Sequence, residues 1–181
     1  MPFELLKSEI LMKGRAFTIR QDHLKTPDGR ETKFEIIEHS GSVVIIPIDE
    51  NGNVLLVRQY RHATGQDLLE LPAGTLDDNE APETCAAREI REETGMAAGN
   101  LTKLGEFYLA PGYSTEFMAV FLATDLSYSP LEADADEFLS VEKVPVAEAI
   151  EMAERGEIPD AKSLAALFLA KSSLKNGCEI Q

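Results

Sequence analysis

An α/β fold is predicted for this chain by three observations: a helix ended by a glycine within Gly74 to Met96, short apolar runs bounded by turn residues on either side of it, and two helical segments near the end. Residues 9 to 20, around Ile10, Phe17 and Ile19, and residues 32 to 38, around Phe34 and Ile36, read as two strands of an N-terminal antiparallel meander spanning about residues 1–40. Pro27-Asp28-Gly29 supplies the turn between them. Ser42 to Pro47 (SVVIIP) is short and wholly apolar apart from its first residue, as a buried strand is. After a tight turn over Asp49-Glu50-Asn51-Gly52, Asn53 to Tyr60 returns as its hairpin partner. Beyond the helix, Leu101 to Tyr108 and Phe117 to Leu122 read as strands separated by a Pro111-Gly112 turn. Phe138 to Val144 is a last strand. Val146 to Arg155, stopped by Gly156, and Asp160 to Lys175, with Leu164, Leu167, Phe168 and Leu174 as its apolar stripe, are helices.

The helix before Gly95 is the unusual element. Asn79 is its expected N-cap and Pro82 lies in its first turn, which places the start near residue 80. Gly95 stands where a left-handed cap residue ends it. Glu89, Glu92 and Glu93 fall at i, i+3 and i+4, so three carboxylates crowd one face. Ala86, Ala87 and Ile90 are expected to form a small apolar back. Like charges that close repel unless a cation sits among them. Carboxylates sharing a site are hard oxygen ligands, suited to magnesium or manganese rather than zinc.

Charge and composition bound the function. The 181 residues carry 17 basic and 32 acidic side chains, a net charge of -15. Such a surface repels polyanions, which argues against long nucleic acids as substrate and against anionic membranes as partners. No apolar run reaches the ~20 residues needed to span a bilayer, and Met1 to Lys13 lacks the basic start and apolar core of a signal peptide, so a cytoplasmic location is expected. Cys85 and Cys178, the only cysteines, form no ligand or disulfide pattern. The three histidines, His23, His39 and His62, are scattered without metal-ligand spacing; only His62, after Arg61, is placed to line a site.

From Gly74 the sequence follows G-x5-E-x7-R-E-U-x-E-E-x-G-U through Glu80, Arg88-Glu89, Ile90, Glu92-Glu93, Gly95 and Met96, U being a bulky aliphatic. A chance match in a chain of this length is on the order of one in a million. The pattern resembles the signature of the Nudix hydrolase family, with no required position departing. The resemblance implies an α/β/α sandwich with a mixed central sheet over residues 41–181, and Mg2+ or Mn2+ bound by Glu89 and Glu93, with Glu92 ligating or bridging and the Ala73 carbonyl adding an oxygen. Glu92 and Glu93 are thereby also catalytic. Arg88 and Glu80 would support these carboxylates.

Further features resemble the ADP-ribose pyrophosphatase branch. Gln59-Tyr60-Arg61 precedes a loop and then Leu69-Glu70-Leu71-Pro72-Ala73-Gly74, and Pro111 falls fifteen residues after Met96, followed by Gly112-Tyr113-Ser114-Thr115-Glu116. The resemblance assigns Arg61 to substrate phosphate and makes Glu70 the matching acid on the strand entering the box, within reach of the metal cluster. Glu116 would accept a bond from a ribose hydroxyl and Tyr113 cover a base or sugar, with Pro111 marking the branch. Arg58 is as well explained by a surface salt bridge. Acidic loops such as 131–137 are usually only solvated, but the resemblance implies that the general base comes from this one, where Glu132, Asp134, Asp136 and Glu137 remain open and Glu137 ranks first.

The resemblance also implies a homodimer in which the N-terminal meander is exchanged between subunits. The expected reaction is hydrolysis of the pyrophosphate of a nucleoside diphosphate sugar, ADP-ribose first, to AMP and ribose 5-phosphate. Phe34, with Lys33 alongside, stands where relatives often carry an arginine before the glutamate matching Glu35, so another sugar nucleotide such as GDP-mannose is the alternative. A non-catalytic ADP-ribose sensor would be expected to lose box carboxylates, and all are present. An RNA 5'-end pyrophosphohydrolase fits poorly with the acidity.

Overall fold

In the computed structural model, which describes residues 2–132 and 138–175, the chain divides into two compact units. In their described residues, the first comprises 2–41 and Phe107–Met118, and the second comprises Ser42–Glu106, 119–132 and 138–175.

The first unit holds three strands where two are predicted: β1 (Glu4–Lys13), β2 (Thr18–Lys25) and β3 (Glu31–Glu38), in the antiparallel order β1-β2-β3. The predicted strand over 9 to 20 is broken by a turn in which the Gly14 N–H bonds to the Phe17 carbonyl at 2.9 Å. Gly14 stands alone there, without the Pro-Gly or Asn-Gly pairing that marks a turn in sequence, which is why the two strands run together although the apolar alternation changes phase between Met12 and Phe17. The Pro-Asp-Gly turn forms as expected, with Gly29 at φ 89° and its N–H on the Thr26 carbonyl. Every residue of β1 is exposed, including Leu5, Leu6, Ile10, Leu11 and Met12. The β3 end meets the loop after Tyr108: Ile37 donates to the Tyr113 carbonyl at 2.8 Å, and Thr115 donates to the Ile37 carbonyl at 2.9 Å.

The second unit contains two sheets. One has the order β7 (Ala73–Thr75), β4 (Ser42–Pro47), β9 (Phe117–Tyr128), β8 (Met96–Tyr108), and the other has β10 (Leu139–Pro145), β5 (Asn53–Arg61), β6 (Gln66–Glu70). The long strands β8 and β9 also enter the first unit. β4 and β5, predicted to pair as a hairpin, instead part after a single Ile48 to Val54 bridge and join different sheets. Both are central strands with apolar side chains on both faces, so each needs neighbours on two sides and cannot serve only as the other's edge.

Helix α1 (Pro82–Thr94) lays Cys85, Ala86 and Ile90 on Val43, Ile45, Ala119, Phe121 and Ala123. Val44 and Ile46 point to the opposite face of β4 and are equally buried, and α3 (Ala161–Lys175) is the second helix in contact with that strand. α2 (Val146–Glu154) contacts β5 and β10. The result is the mixed α/β architecture expected, with an antiparallel N-terminal sheet, a mixed central sheet and three helices among the described residues.

Two helix details differ from expectation. The N-cap of α1 is Ala81, not Asn79: Pro82 at the first helical position holds Ala81 extended (φ -74°, ψ 142°), which is the cap conformation, while Asn79 sits at φ 63° in the preceding turn. Cys85 rather than Ala87 completes the buried back of the helix, and Ala87 faces solvent. In α3, Phe168 is exposed, and Ser163, Ala166, Leu167 and Ala170 form the buried face. Small side chains there permit close approach to the sheet; of the predicted stripe Leu167 is buried and Leu164 and Leu174 are half-buried, and Phe168 alone turns outward. No helix of the described residues is long and apolar enough to cross a membrane.

Candidate active site

The chain passes from one sheet of the second unit to the other at Leu71-Pro72, between β6 and β7. Proline lacks an N–H and cannot continue a ladder. This crossing places Glu70 at the end of one sheet and Ala73 at the start of the other. The Ala73 N–H donates to Glu93 Oε2 at 3.2 Å, which ties the box helix to the crossing strand. Gly74 is required beside it, since a Cβ there would stand 1.8 Å from Glu89 Oε1.

Glu89 and Glu93 are buried, at 7% and 6% exposure. Arg88 is the cation among the carboxylates. Its Nη1 donates to Glu89 Oε1 at 2.7 Å and to Glu92 Oε2 at 2.8 Å. Its Nε and Nη2 take both Glu80 oxygens at 3.1 and 2.9 Å, and Nη2 also reaches the Thr75 carbonyl at 3.3 Å. Glu80 thus pairs with Arg88 through both of its oxygens. Among the described residues no group of three His, Cys, Asp or Glu side chains is arranged to hold a metal ion. Glu89 and Glu92 are turned to the guanidinium instead.

The donor set nevertheless fits a hard divalent ion. It consists of carboxylates and a backbone carbonyl, two of the carboxylates are buried, and Gly74 leaves the space that Glu89 occupies. The neighbouring Cys85 is no competitor: burial, followed by the charges of Glu89 and Glu80, pushes its thiol up and keeps it protonated.

The Arg88 hydrogen bond to Glu80 holds that carboxyl well below its ordinary 4.5, at about 2. A carboxyl depressed by folding contributes stability that is complete above pH 4.5 and is lost as pH falls toward 2. Urea unfolding of the metal-free protein is therefore expected to weaken across that window. The loss should be shallower in Glu80→Gln, and equal slopes for the two proteins would show that Glu80 is not the group responsible.

Arg61, at the end of β5, grips Glu70 with both edges of its fork, Nε to Oε1 at 2.8 Å and Nη2 to Oε2 at 2.7 Å. Glu70 is 1% exposed. Burial pushes its carboxyl up most strongly, but Arg61 and Lys162 together outweigh that and leave it below its ordinary value. Arg61 in turn is raised by Glu70 first, and it also senses the charges of Glu93 and Asp160. The Glu70 pair therefore lies within electrostatic reach of the box. Arg58 forms the surface salt bridge open to it, to Glu142 at 2.5 Å, and His62 is exposed.

Sequence reasoning missed Lys162, Asp160 and Ser163 at the start of α3. Lys162 Nζ bonds to Glu70 Oε2 and to Asp160 Oδ2, the latter at 2.9 Å. The Leu71 N–H donates to Ser163 Oγ at 2.7 Å. A signal was present: a lysine in the first turn opposes the helix dipole, so a buried partner is the reason to keep one there.

Pro111, Tyr113 and Glu116 belong to the first unit, where Pro111 and Tyr113 are exposed and Glu116 is half-buried. Of the loop carboxylates, Glu132 is exposed, and Asp134, Asp136 and Glu137 lie outside the described residues. The stem of that loop is joined to the box helix: Arg91 donates to the Ser129 carbonyl at 2.9 Å, and Ser129 donates to the Gly95 carbonyl at 2.9 Å.

The NUDIX domain model matches residues 38–167, which include every one of these second-unit side chains. The chain belongs to the NUDIX family. An ADP-ribose pyrophosphatase of Mycobacterium tuberculosis is 41% identical over 169 residues, covering 92% of this chain and 82% of the relative. A GDP-mannose pyrophosphatase of an Enterobacter species is 34% identical over 181 residues, covering 91% and 92%. Among solved structures, an ADP compounds hydrolase superposes with a TM-score of 0.87 at 29% identity, covering 99% of this NUDIX chain and 98% of the other. NUDIX hydrolases in general depend on divalent metal ions.

Proposed function

We propose that this protein hydrolyses the pyrophosphate link of a nucleoside diphosphate sugar, with ADP-ribose cleaved to AMP and ribose 5-phosphate as the first choice. The observation that carries the reading is the joining of the Arg61–Glu70 pair to the box by the Leu71-Pro72-Ala73 crossing, with Ala73 bonded to Glu93. It sets a phosphate-binding fork beside a set of oxygen donors. Glu89, Glu93 and the Ala73 carbonyl, with Glu92, are the groups that would hold Mg2+ or Mn2+. Bound divalent ions neutralise diphosphate charge and make a water nucleophilic near neutral pH. The chain's own part is to keep those oxygens charged and fixed. Arg88 and Gly74 do this for Glu89, and Ala73 does it for Glu93.

Arg61 steadies a phosphate oxygen, work suited to a planar fork. Glu137 is the first choice of general base. Tyr113, Glu116 and Pro111 are assigned to the base and sugar. A homodimer formed through the N-terminal sheet is supported by β1, whose apolar side chains are all exposed and which has a free edge within its sheet. The net charge of -15 supports a small substrate over nucleic acid, and a cytoplasmic setting agrees with a nucleotide sugar as substrate.

GDP-mannose is the second reading, favoured by the 34% identical relative of that name and by Phe34 before Glu35. Product release from ADP-ribose, GDP-mannose and UDP-glucose with magnesium tests both. AMP and ribose 5-phosphate are expected to form fastest. GDP-mannose cleaved at the higher kcat/KM would reverse the order, and no cleavage of any of the three would overturn the reading.

A further inference from the structure

We propose that Lys162 is a positioning residue for Arg61, acting through the carboxylate that the two cations share. The inference rests on Arg61 meeting a substrate phosphate. Both Glu70 oxygens are held by Arg61, and Lys162 adds a second cation on Oε2. Were Arg61 the sole partner of so buried a carboxylate, turning it toward a diphosphate would strand Glu70 without a countercharge. That penalty would hold the guanidinium back. Lys162 keeps Glu70 neutralised while Arg61 turns one edge of its fork outward.

The burial of the two cations fits this division. The Arg61 side chain is 39% exposed and open to solvent, whereas that of Lys162 is only 11% exposed. Lys162 is further fixed by Asp160, whose Oδ2 also accepts the Ser163 N–H at 3.0 Å and the Ser163 hydroxyl at 2.5 Å, capping the first turn of α3. The same Ser163 hydroxyl accepts the Leu71 N–H, so the backbone next to Glu70 is pinned to the turn that carries Lys162.

The test compares Lys162→Met and Lys162→Arg with wild type. Steady-state kinetics use whichever of ADP-ribose, GDP-mannose and UDP-glucose the wild type cleaves fastest, and calorimetry in metal-free buffer measures affinity for inorganic pyrophosphate. Lys162→Met is expected to raise KM and weaken pyrophosphate binding about tenfold with kcat within about threefold, and Lys162→Arg to recover most of the loss. A lower melting temperature with KM and pyrophosphate affinity unchanged would overturn the proposal, and so would a wild type that does not bind pyrophosphate. If none of the three sugars is cleaved, the functional reading fails while the pyrophosphate comparison still decides the role of Lys162. Should Lys162→Met not fold, Glu70→Gln is compared with Glu70→Gln/Lys162→Met. With the carboxylate gone, KM values within about twofold are expected, and a further tenfold rise would show that Lys162 acts independently of Glu70.

Discussion

Replacing Glu93 by glutamine is expected to lower kcat by about a thousandfold or more, which corresponds to about 4 kcal/mol of transition-state stabilisation, while nucleotide binding stays measurable. Glutamine keeps the shape of the buried side chain and an amide oxygen to accept the Ala73 N–H, so the fold has little reason to change. What it removes is the negative charge, and a hard divalent ion discriminates strongly between a carboxylate and an amide. The expected signature is a large fall in turnover, a melting temperature near that of wild type, and ADP-ribose binding still detectable by calorimetry. Wild-type turnover in this variant would remove Glu93 from the metal set, and with it the premise of the catalytic reading.

Much of this arrangement was legible because it is local. The left-handed C-cap at Gly95 (φ 73°), its N–H on the Arg91 carbonyl, and the i, i+3, i+4 placement of the three glutamates all follow from helix geometry within a few turns. What escaped depends on partners distant in sequence. Lys162 finds Glu70 across a separation of 92 residues, and nothing in the helical periodicity of α3 announces it. The parting of β4 and β5 is of the same kind. Their turn is readable, with Gly52 at φ 76°, but which sheet each strand joins is decided by β7, β9, β10 and β6 competing for the buried apolar runs Val43–Ile46 and Val54–Val57. The Asn79 cap failed for a different reason. Cap propensity is worth about 1 kcal/mol, and a proline that fixes the conformation of its predecessor decides the helix start more strongly.

Arg88→Met is expected to be the most destabilising substitution in the box. In metal-free buffer it should cost about 3 kcal/mol, lowering the melting temperature by roughly 10 °C for a chain of this size. Arg88 bonds Glu80, Glu89 and Glu92, whose side chains are 10%, 9% and 20% exposed. Methionine preserves the apolar stem but leaves three carboxylates facing one another. Because Arg88 itself is 27% exposed, solvent screens part of the loss, which sets the cost at the lower end of the range for a broken buried pair. Saturating magnesium should then narrow the gap between variant and wild type, since an ion bound only by the folded state adds about 2.7 kcal/mol at a hundred times its dissociation constant. It should not close the gap. Glu80 takes the Nε and Nη2 edge of the guanidinium, whereas Glu89 and Glu92 share Nη1; Glu80 is not among the expected ligands, so it stays uncompensated when the other two are neutralised. Adding Glu80→Gln to Arg88→Met should therefore recover part of the remaining stability in magnesium, whereas Glu80→Gln alone should destabilise. An Arg88→Met protein that melts with wild type in chelator would show instead that the carboxylates tolerate one another, and that the guanidinium is not what holds them together.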